Sequence, residues 1–258
     1  MPTGAITDYI DVAQLALYAF WIFFAGLIYY LRREDKREGY PLESDRSGSV
    51  VVQGWPAMPA PKTFLLRDGS IRVAPSNTKA DAPVNAHPVG DWPGAPLEPA
   101  GNPMTDGVGP AAYANRPDSP DRTVDGRIKI VPLRVATDYH VEARDPDPRG
   151  MTVVGADGIV GGIVRDVWVD RSETMLTYLE VEVTTGSGSR NVLLPVNFTK
   201  INGARGQVSV KAILGSQFAQ VPGLKSPDQV TLLEEDRITA YYASGNLYAE
   251  PSRLGPLV

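Results

Sequence analysis

Three carboxylates raise the first chemical question. Asp166, Asp170 and Glu173 gather around the end of the predicted strand Val164–Val169. Carboxylates relay protons when burial or like-charged neighbours lift their pKa toward the working pH; otherwise such a group is a solvated turn. On the sequence alone the solvated turn is the simpler reading. The spacing D-x-x-x-D-x-x-E does not follow the EF-hand pattern, so Ca²⁺ is not expected. His87 stands before a proline and His140 before Val141, and each reads as a surface or packing residue. With two His and no Cys, the chain has no thiolate nucleophile, Cys-ligated zinc, iron–sulfur cluster or disulfide framework. No phosphate-binding loop, nucleophile elbow or H-E-x-x-H stands in the right setting. Gly155–Gly162 reads as turns, with no helix N-terminus to receive a phosphate. Glu234, Glu235 and Asp236 read as the solvated face of a helix.

The elements that must position these groups divide the chain unevenly. Val12–Leu31 is an unbroken apolar run of 20 residues in which Gln14 is the one strongly polar side chain. At 1.5 Å per residue it reaches about 30 Å, the thickness of a bilayer's hydrocarbon core. Its Val, Leu, Ile and Phe residues supply about −3 to −6 kcal/mol toward insertion. A soluble core helix would carry a polar stripe, and none is visible. A cleaved signal peptide is a poor fit, because Asp8 and Asp11 precede the run and RREDKRE follows it. Arg32, Arg33, Lys36 and Arg37 lie just past the span, which predicts a periplasmic 1–11 and a cytoplasmic C-terminal body. Tyr29 and Tyr30 suit the headgroup level, with Arg32 and Arg33 beside them. The small residues Ala13, Ala16, Ala19 and Gly26 suit close helix packing, although such residues are common in any span.

Residues 32–122 form a Pro/Gly-rich cytoplasmic segment. From 41 to 122 there are 14 Pro and 8 Gly, too many to build a core of its own. Yet Trp55, Phe64, Leu65, Leu66, Ile71, Val73, Trp92, Leu97, Val108 and Tyr113 punctuate it. Two readings stand: a flexible tether, or an extended segment laid on a partner with these residues as anchors. Lys62–Leu66 and Ser70–Val73 around Asp68-Gly69 predict a hairpin.

From 123 to 248 the texture is that of a small antiparallel barrel or sandwich. Strands are predicted at Arg127–Leu133, Met151–Val154, Ile159–Val169, Leu176–Val183, Asn191–Val196 and Gln207–Ala212. In Leu179–Val183 the alternation points Glu180 and Glu182 outward. A helix is predicted over about 226–243. Ser226, Pro227 and Gln229 offer one capping box and Thr231 with Glu234 another, while Gly245 is available as a stop. A tail, 249–258, follows. The fold class is therefore one N-terminal transmembrane helix plus a mainly-β cytoplasmic domain with a helix near the C-terminus. A balance of 25 Lys+Arg against 30 Asp+Glu argues against nucleic acid as a partner.

Several segments, taken in order, resemble one family. They are Phe20-Trp21-Ile22, Ala25-Gly26-Leu27-Ile28-Tyr29-Tyr30, Arg37-Glu38-Gly39-Tyr40-Pro41-Leu42-Glu43 and Pro61-Lys62-Thr63-Phe64. Asp106-Gly107-Val108-Gly109-Pro110-Ala111, Trp168-Val169-Asp170, Lys225-Ser226-Pro227 and Val230-Thr231-Leu232-Leu233-Glu234-Glu235-Asp236 complete the set. The chain is similar to H subunits of the purple-bacterial photosynthetic reaction centre, nearly end to end, and its C-terminal part resembles the PRC barrel.

The resemblance implies a non-pigment subunit, not catalytic alone, in the photosynthetic (intracytoplasmic) inner membrane. It implies a cap on the cytoplasmic face of the L–M heterodimer that supports assembly and the secondary-quinone site. No cofactor is expected on this chain. The partner subunits are expected to carry bacteriochlorophyll, bacteriopheophytin, quinones, carotenoid and non-haem iron. A cytochrome subunit, an antenna ring and membrane lipids are further expected neighbours. Asp170 and Glu173 match family acids that conduct protons to the quinone, Asp125 matches one near the proton entrance, and Lys129 matches a basic residue nearby. Some members carry a His pair after the Asp-Gly, where metal ions inhibit; Asp125-Gly126-Arg127-Ile128 has none. His140 and Asp166 are supporting candidates only. An alternative of a different class is a membrane-tethered barrel adaptor in RNA processing or signalling, since PRC-type barrels resemble general interaction modules. A membrane-anchored hydrolase lacks a visible nucleophile–base pair.

Overall fold

The structure, a computed structural model, describes residues 4, 6, 11–40, 42, 43, 51, 52, 54–76, 84–92, 94–186 and 188–254. Most of the expected periplasmic stretch 1–11, including Asp8, lies outside the described residues, as do Pro41, Ser187 and 255–258 of the tail. The chain forms two compact units: 1–82 with 91–95, and 83–90 with 96–258.

In the first unit, α1 (Val12–Glu34) begins at an Asp11 cap. The Asp11 carboxylate accepts the Gln14 N–H at 2.7 Å, and the Gln14 side chain accepts the Asp11 N–H at 3.3 Å. The lone polar residue of the apolar run thus satisfies backbone donors that a helix start leaves open. The helix runs three residues past Leu31 because the basic residues that follow are good helix formers. None of its residues is buried, and it is long and apolar enough to cross a membrane. Two short antiparallel pairs follow: β1 (Leu42–Glu43) with β2 (Val51–Val52), and β3 (Lys62–Leu65) with β4 (Ile71–Ala74). The β3–β4 turn is the predicted Asp68-Gly69. Gly69 has φ +81°, and Asp68 Oδ1 accepts the Ser70 N–H at 2.9 Å.

The second unit opens with β5 (Ala86–Pro88) against β6 (Leu97–Pro99). Its core is a seven-stranded sheet of β7 (Ile130–Pro132), β8 (Thr152–Val154), β9 (Val160–Asp170), β10 (Met175–Thr185), β11 (Gly188–Pro195), β12 (Thr199–Asn202) and β13 (Gln207–Val210). The order is β11-β10-β9-β8-β13-β12, antiparallel except for β8 with β13. β9 is the organising strand. One edge pairs with β10; the other pairs with β8 over its first half and with β7 over Trp168–Asp170. Trp168, Leu179, Leu193, Leu194, Ile213 and Phe218 are sealed inside with Ile238, Tyr241 and Tyr242 of α2 (Leu232–Tyr248).

Four expectations change. The helix starts at Leu232, because Thr231 and Glu234 form the complete box: Oγ1 accepts the Glu234 N–H at 3.1 Å, and the Glu234 carboxylate accepts the Thr231 N–H at 2.8 Å. Gly245 lies inside the helix and does not stop it. A Cβ there would fall 2.4 Å from the Ala212 carbonyl oxygen, so the glycine permits close packing. Gly161 and Gly162 are strand residues, not turns, and the Phe218 ring occupies the space a Cβ on Gly161 would need. Finally, the Pro-rich segment is not uniform up to 122. Met104 and Ala111 are buried, and the Ser244 hydroxyl on α2, which donates to the Tyr241 carbonyl at 2.7 Å, lies 3.3 Å from the Met104 carbonyl, so residues from 96 onward fold with the barrel.

Candidate functional site

The pairing of β7 with β9 brings Lys129 to Asp170. Ile130 opposes Asp170, and the Arg171 N–H donates to the Lys129 carbonyl at 2.9 Å. Asp170 ends β9 and is 4% exposed. Its Oδ1 accepts the N–H groups of Ser172 at 2.8 Å and Glu173 at 3.1 Å, which folds the turn into β10. Its Oδ2 lies 3.3 Å from Lys129 Nζ, and Lys129 also lies 3.8 Å from Asp121. Glu173 is exposed on the same turn. Burial pulls the Lys129 pKa down, but the Asp170 hydrogen bond and charge, with Asp121 and Glu173 behind them, outweigh it and raise the ammonium above its ordinary value.

The remaining predicted residues lie apart from this group. Asp125 is exposed beside Gly126 (φ +80°), 3.8 Å from Arg127. His140 is exposed, and among the described contacts none joins it to Asp170 or Lys129. Asp166 belongs to a second centre. Its Oδ2 accepts the backbone N–H of Arg134 at 3.2 Å and the guanidinium at 3.1 Å. The same guanidinium donates to Glu180 Oε2 at 2.6 Å and to Asp228 Oδ1 at 3.0 Å. Glu180 also accepts the Trp168 indole N–H at 2.8 Å and an Asn191 amide N–H at 2.6 Å.

Glu180 therefore does not point outward as its alternation predicts; it is 5% exposed and opposes Asp166 across the β9–β10 ladder. Burial of two cross-strand carboxylates requires the cation that Arg134 supplies. The Arg134 pKa rises: burial opposes the charge, but Glu180, Asp166 and Asp228 outweigh it. Arg134 and Glu180 are the residues the sequence reading missed, since their link spans three strands that only the register brings together. The helix acids also depart from the solvated face. Glu234 is buried in the cap and accepts the Lys225 N–H at 2.7 Å. Glu235 accepts the Tyr178 hydroxyl at 2.9 Å, and burial pushes its carboxyl above the ordinary range despite that hydrogen bond.

At the end of the span, the Tyr29 ring packs on Trp55 with centroids 5.6 Å apart, and Lys62 lies over Tyr30 at 5.7 Å. Arg32 faces Asp35 at 3.5 Å, and Arg33 is half-buried.

An apolar N-terminal helix joined to a mainly-β domain with a C-terminal helix defines the class, and the family model described as the PRC-barrel domain matches residues 140–215. The model described as the photosynthetic reaction centre H-chain N-terminal region matches residues 4–135, just over half of the sequence. The chain belongs to the family of photosynthetic reaction-centre H chains. In that family the chain is a membrane-associated, non-catalytic structural subunit that binds no pigment itself and associates with the L and M subunits.

Proposed function

We propose that the chain caps the L–M heterodimer on the cytoplasmic face, supports the secondary-quinone site, and conducts protons toward it through Asp125, Glu173 and Asp170. The orientation rests on Arg32 and Arg33 just past the span. The exposed Trp92 and Leu97 would serve as anchors on the partner surface. Bacteriochlorophyll, bacteriopheophytin, carotenoid, quinones and non-haem iron belong to the partners on this reading. A quinone that accepts two electrons in low-dielectric protein also needs two protons, and water cannot reach it freely.

The observation that carries the reading is the graded placement of Glu173 and Asp170 on one turn. Glu173 meets solvent, while the Asp170 carboxylate next to it is almost sealed, with Oδ2 held at the Lys129 ammonium. A proton taken up at the Glu173 carboxylate then has a buried acceptor within the same turn. Lys129 keeps the negative charge on Asp170 tolerable between transfers. The test is Glu173→Gln in the assembled complex, timing the second, proton-coupled electron transfer to the secondary quinone. A slowing of about tenfold or more is expected, as for loss of a positioned proton carrier. An unchanged rate removes Glu173 from the path.

A further inference from the structure

The basic run after the span is partly consumed inside the protein. Lys36 is 3% exposed; its ammonium donates to the Pro56 carbonyl and stands 5.2 Å over the Tyr40 ring. Arg37 donates to both carboxylate oxygens of Glu34, at 2.7 and 2.9 Å, and to the carbonyls of Ala60 at 2.7 Å and Ala74 at 2.8 Å. Those carbonyls flank the β3–β4 hairpin. Lys62 of β3 closes the ring at 2.7 Å from Glu34. The hairpin is thus fastened to the last turn of α1 by charge-assisted hydrogen bonds.

Its register sorts its side chains. Lys62 opposes Ala74 and Phe64 opposes Arg72 on one face; Thr63 opposes Val73 and Leu65 opposes Ile71 on the other. The Lys62 contacts turn the first face toward α1. The second face is the more uncovered of the two, with Leu65 76%, Ile71 63% and Val73 47% exposed, against 42% for Phe64 on the first. Trp55, which packs on Tyr29, is 80% exposed.

We propose that the Thr63/Leu65/Ile71/Val73 face, together with Trp55, seats on the lipid bilayer at the boundary between headgroups and acyl chains. The proposal rests on the reading of α1 as a membrane span whose Arg32 and Arg33 lie at the cytoplasmic surface. The clamp sets the depth: Glu34 is four residues, about 6 Å along the helix, beyond the Tyr30 that suits the headgroup level. The hairpin therefore hangs where Trp, Tyr and long cationic side chains prefer to sit. The composition of the face selects lipid over a protein partner. It offers one hydroxyl and no charge, which acyl chains accept, whereas a protein interface is specified by polar groups placed among the apolar ones.

The test uses the chain's lack of Cys. Leu65→Cys and Ile71→Cys, each carrying a nitroxide attached before assembly with L and M, are placed in discs of equal parts phosphatidylcholine and phosphatidylglycerol. A lipid-seated label collides more often with oxygen, which concentrates in the bilayer, than with a water-soluble nickel chelate. Ile22→Cys, in the middle of α1, is the control. If the Ile22 label meets the nickel chelate freely, the membrane-span reading itself fails. If it is lipid-immersed while the hairpin labels meet the chelate, the face is in water and the proposal is overturned. If the hairpin labels are immobile and shielded from both reagents, a protein partner covers the face, which overturns it equally.

Discussion

Two carboxylate centres share β9, and they are built on opposite plans. Asp166 on β9 and Glu180 opposite it on β10 lie mid-strand under one guanidinium and between them accept from Arg134, the Trp168 indole, Asn191 and the Val167 N–H. Asp170 sits where the strand ends. Its partners are two turn N–H groups and Lys129, and its neighbour Glu173 is in water. The first arrangement fixes a geometry and leaves no oxygen for traffic. The second places a buried acid and a solvent-facing one on the same turn, joined through the Glu173 backbone N–H. On the proposed reading, the mid-strand pair serves the fold and the acids where β9 turns into β10 serve proton transfer.

The largest effect expected from breaking this contrast is at the closed centre. Arg134→Ala leaves Asp166 and Glu180 opposed and buried without their cation. Such losses cost about 3–5 kcal/mol when fully buried; Arg134 is partly exposed, so water can screen what remains and about 2–3 kcal/mol is expected. Chemical unfolding of the full chain in detergent, followed by circular dichroism, measures it. A loss below about 0.5 kcal/mol, the range of ordinary surface changes, would mean that Arg134 does not hold the pair.

The open centre should respond in the other currency. Asp170→Asn keeps the turn, since the amide oxygen still accepts from Ser172 and Glu173, and leaves Lys129 its weaker contact with Asp121. The expected stability loss is about 1 kcal/mol, while the second electron transfer slows far more than the fold weakens. An equal or larger stability loss than Arg134→Ala, with normal transfer, would reverse the assignment of the two centres.

The contrast also explains which parts of the molecule were legible. The long apolar helix declares itself because, Gln14 aside, no position from Val12 to Leu31 is strongly polar. The β3–β4 turn declares itself because local chemistry, Asp-Gly, decides it, whereas two capping boxes, at Ser226 and at Thr231, compete for the start of α2 and the sequence does not choose between them. Asp170 and Glu173 stand out in the sequence as acids at the end of a strand, and their closeness follows from adjacency; the role proposed for them comes from the resemblance. Glu180 was not found, because the alternation rule assigns faces but does not say which faces another element covers. Its burial depends on Arg134, distant in sequence and brought near by β7 pairing with β9. Gly245 misled for a related reason: a glycine that stops a helix and one that admits a neighbour look identical until the neighbour is in place.

The smallest expected effect sharpens the contrast from α2, where Glu235 holds the Tyr178 hydroxyl near the Lys129 side of the sheet. Burial raises its carboxyl, partly offset by the Tyr178 hydrogen bond and the charges of Arg116 and Lys129; the Asp121 charge adds to the rise. A carboxyl with a raised folded pKa supports the fold fully below its unfolded value, near 4.3, and loses that support as pH climbs through the folded value. Glu235→Gln keeps an acceptor for Tyr178 and removes the buried charge. The variant and the parent should therefore match in stability at acidic pH, and the variant should hold a modest advantage at neutral pH. Unfolding curves at the two pH values decide it. A variant that is less stable at neutral pH would show that Glu235 is stabilised as an anion, which would make it part of a closed structural centre like that of Glu180.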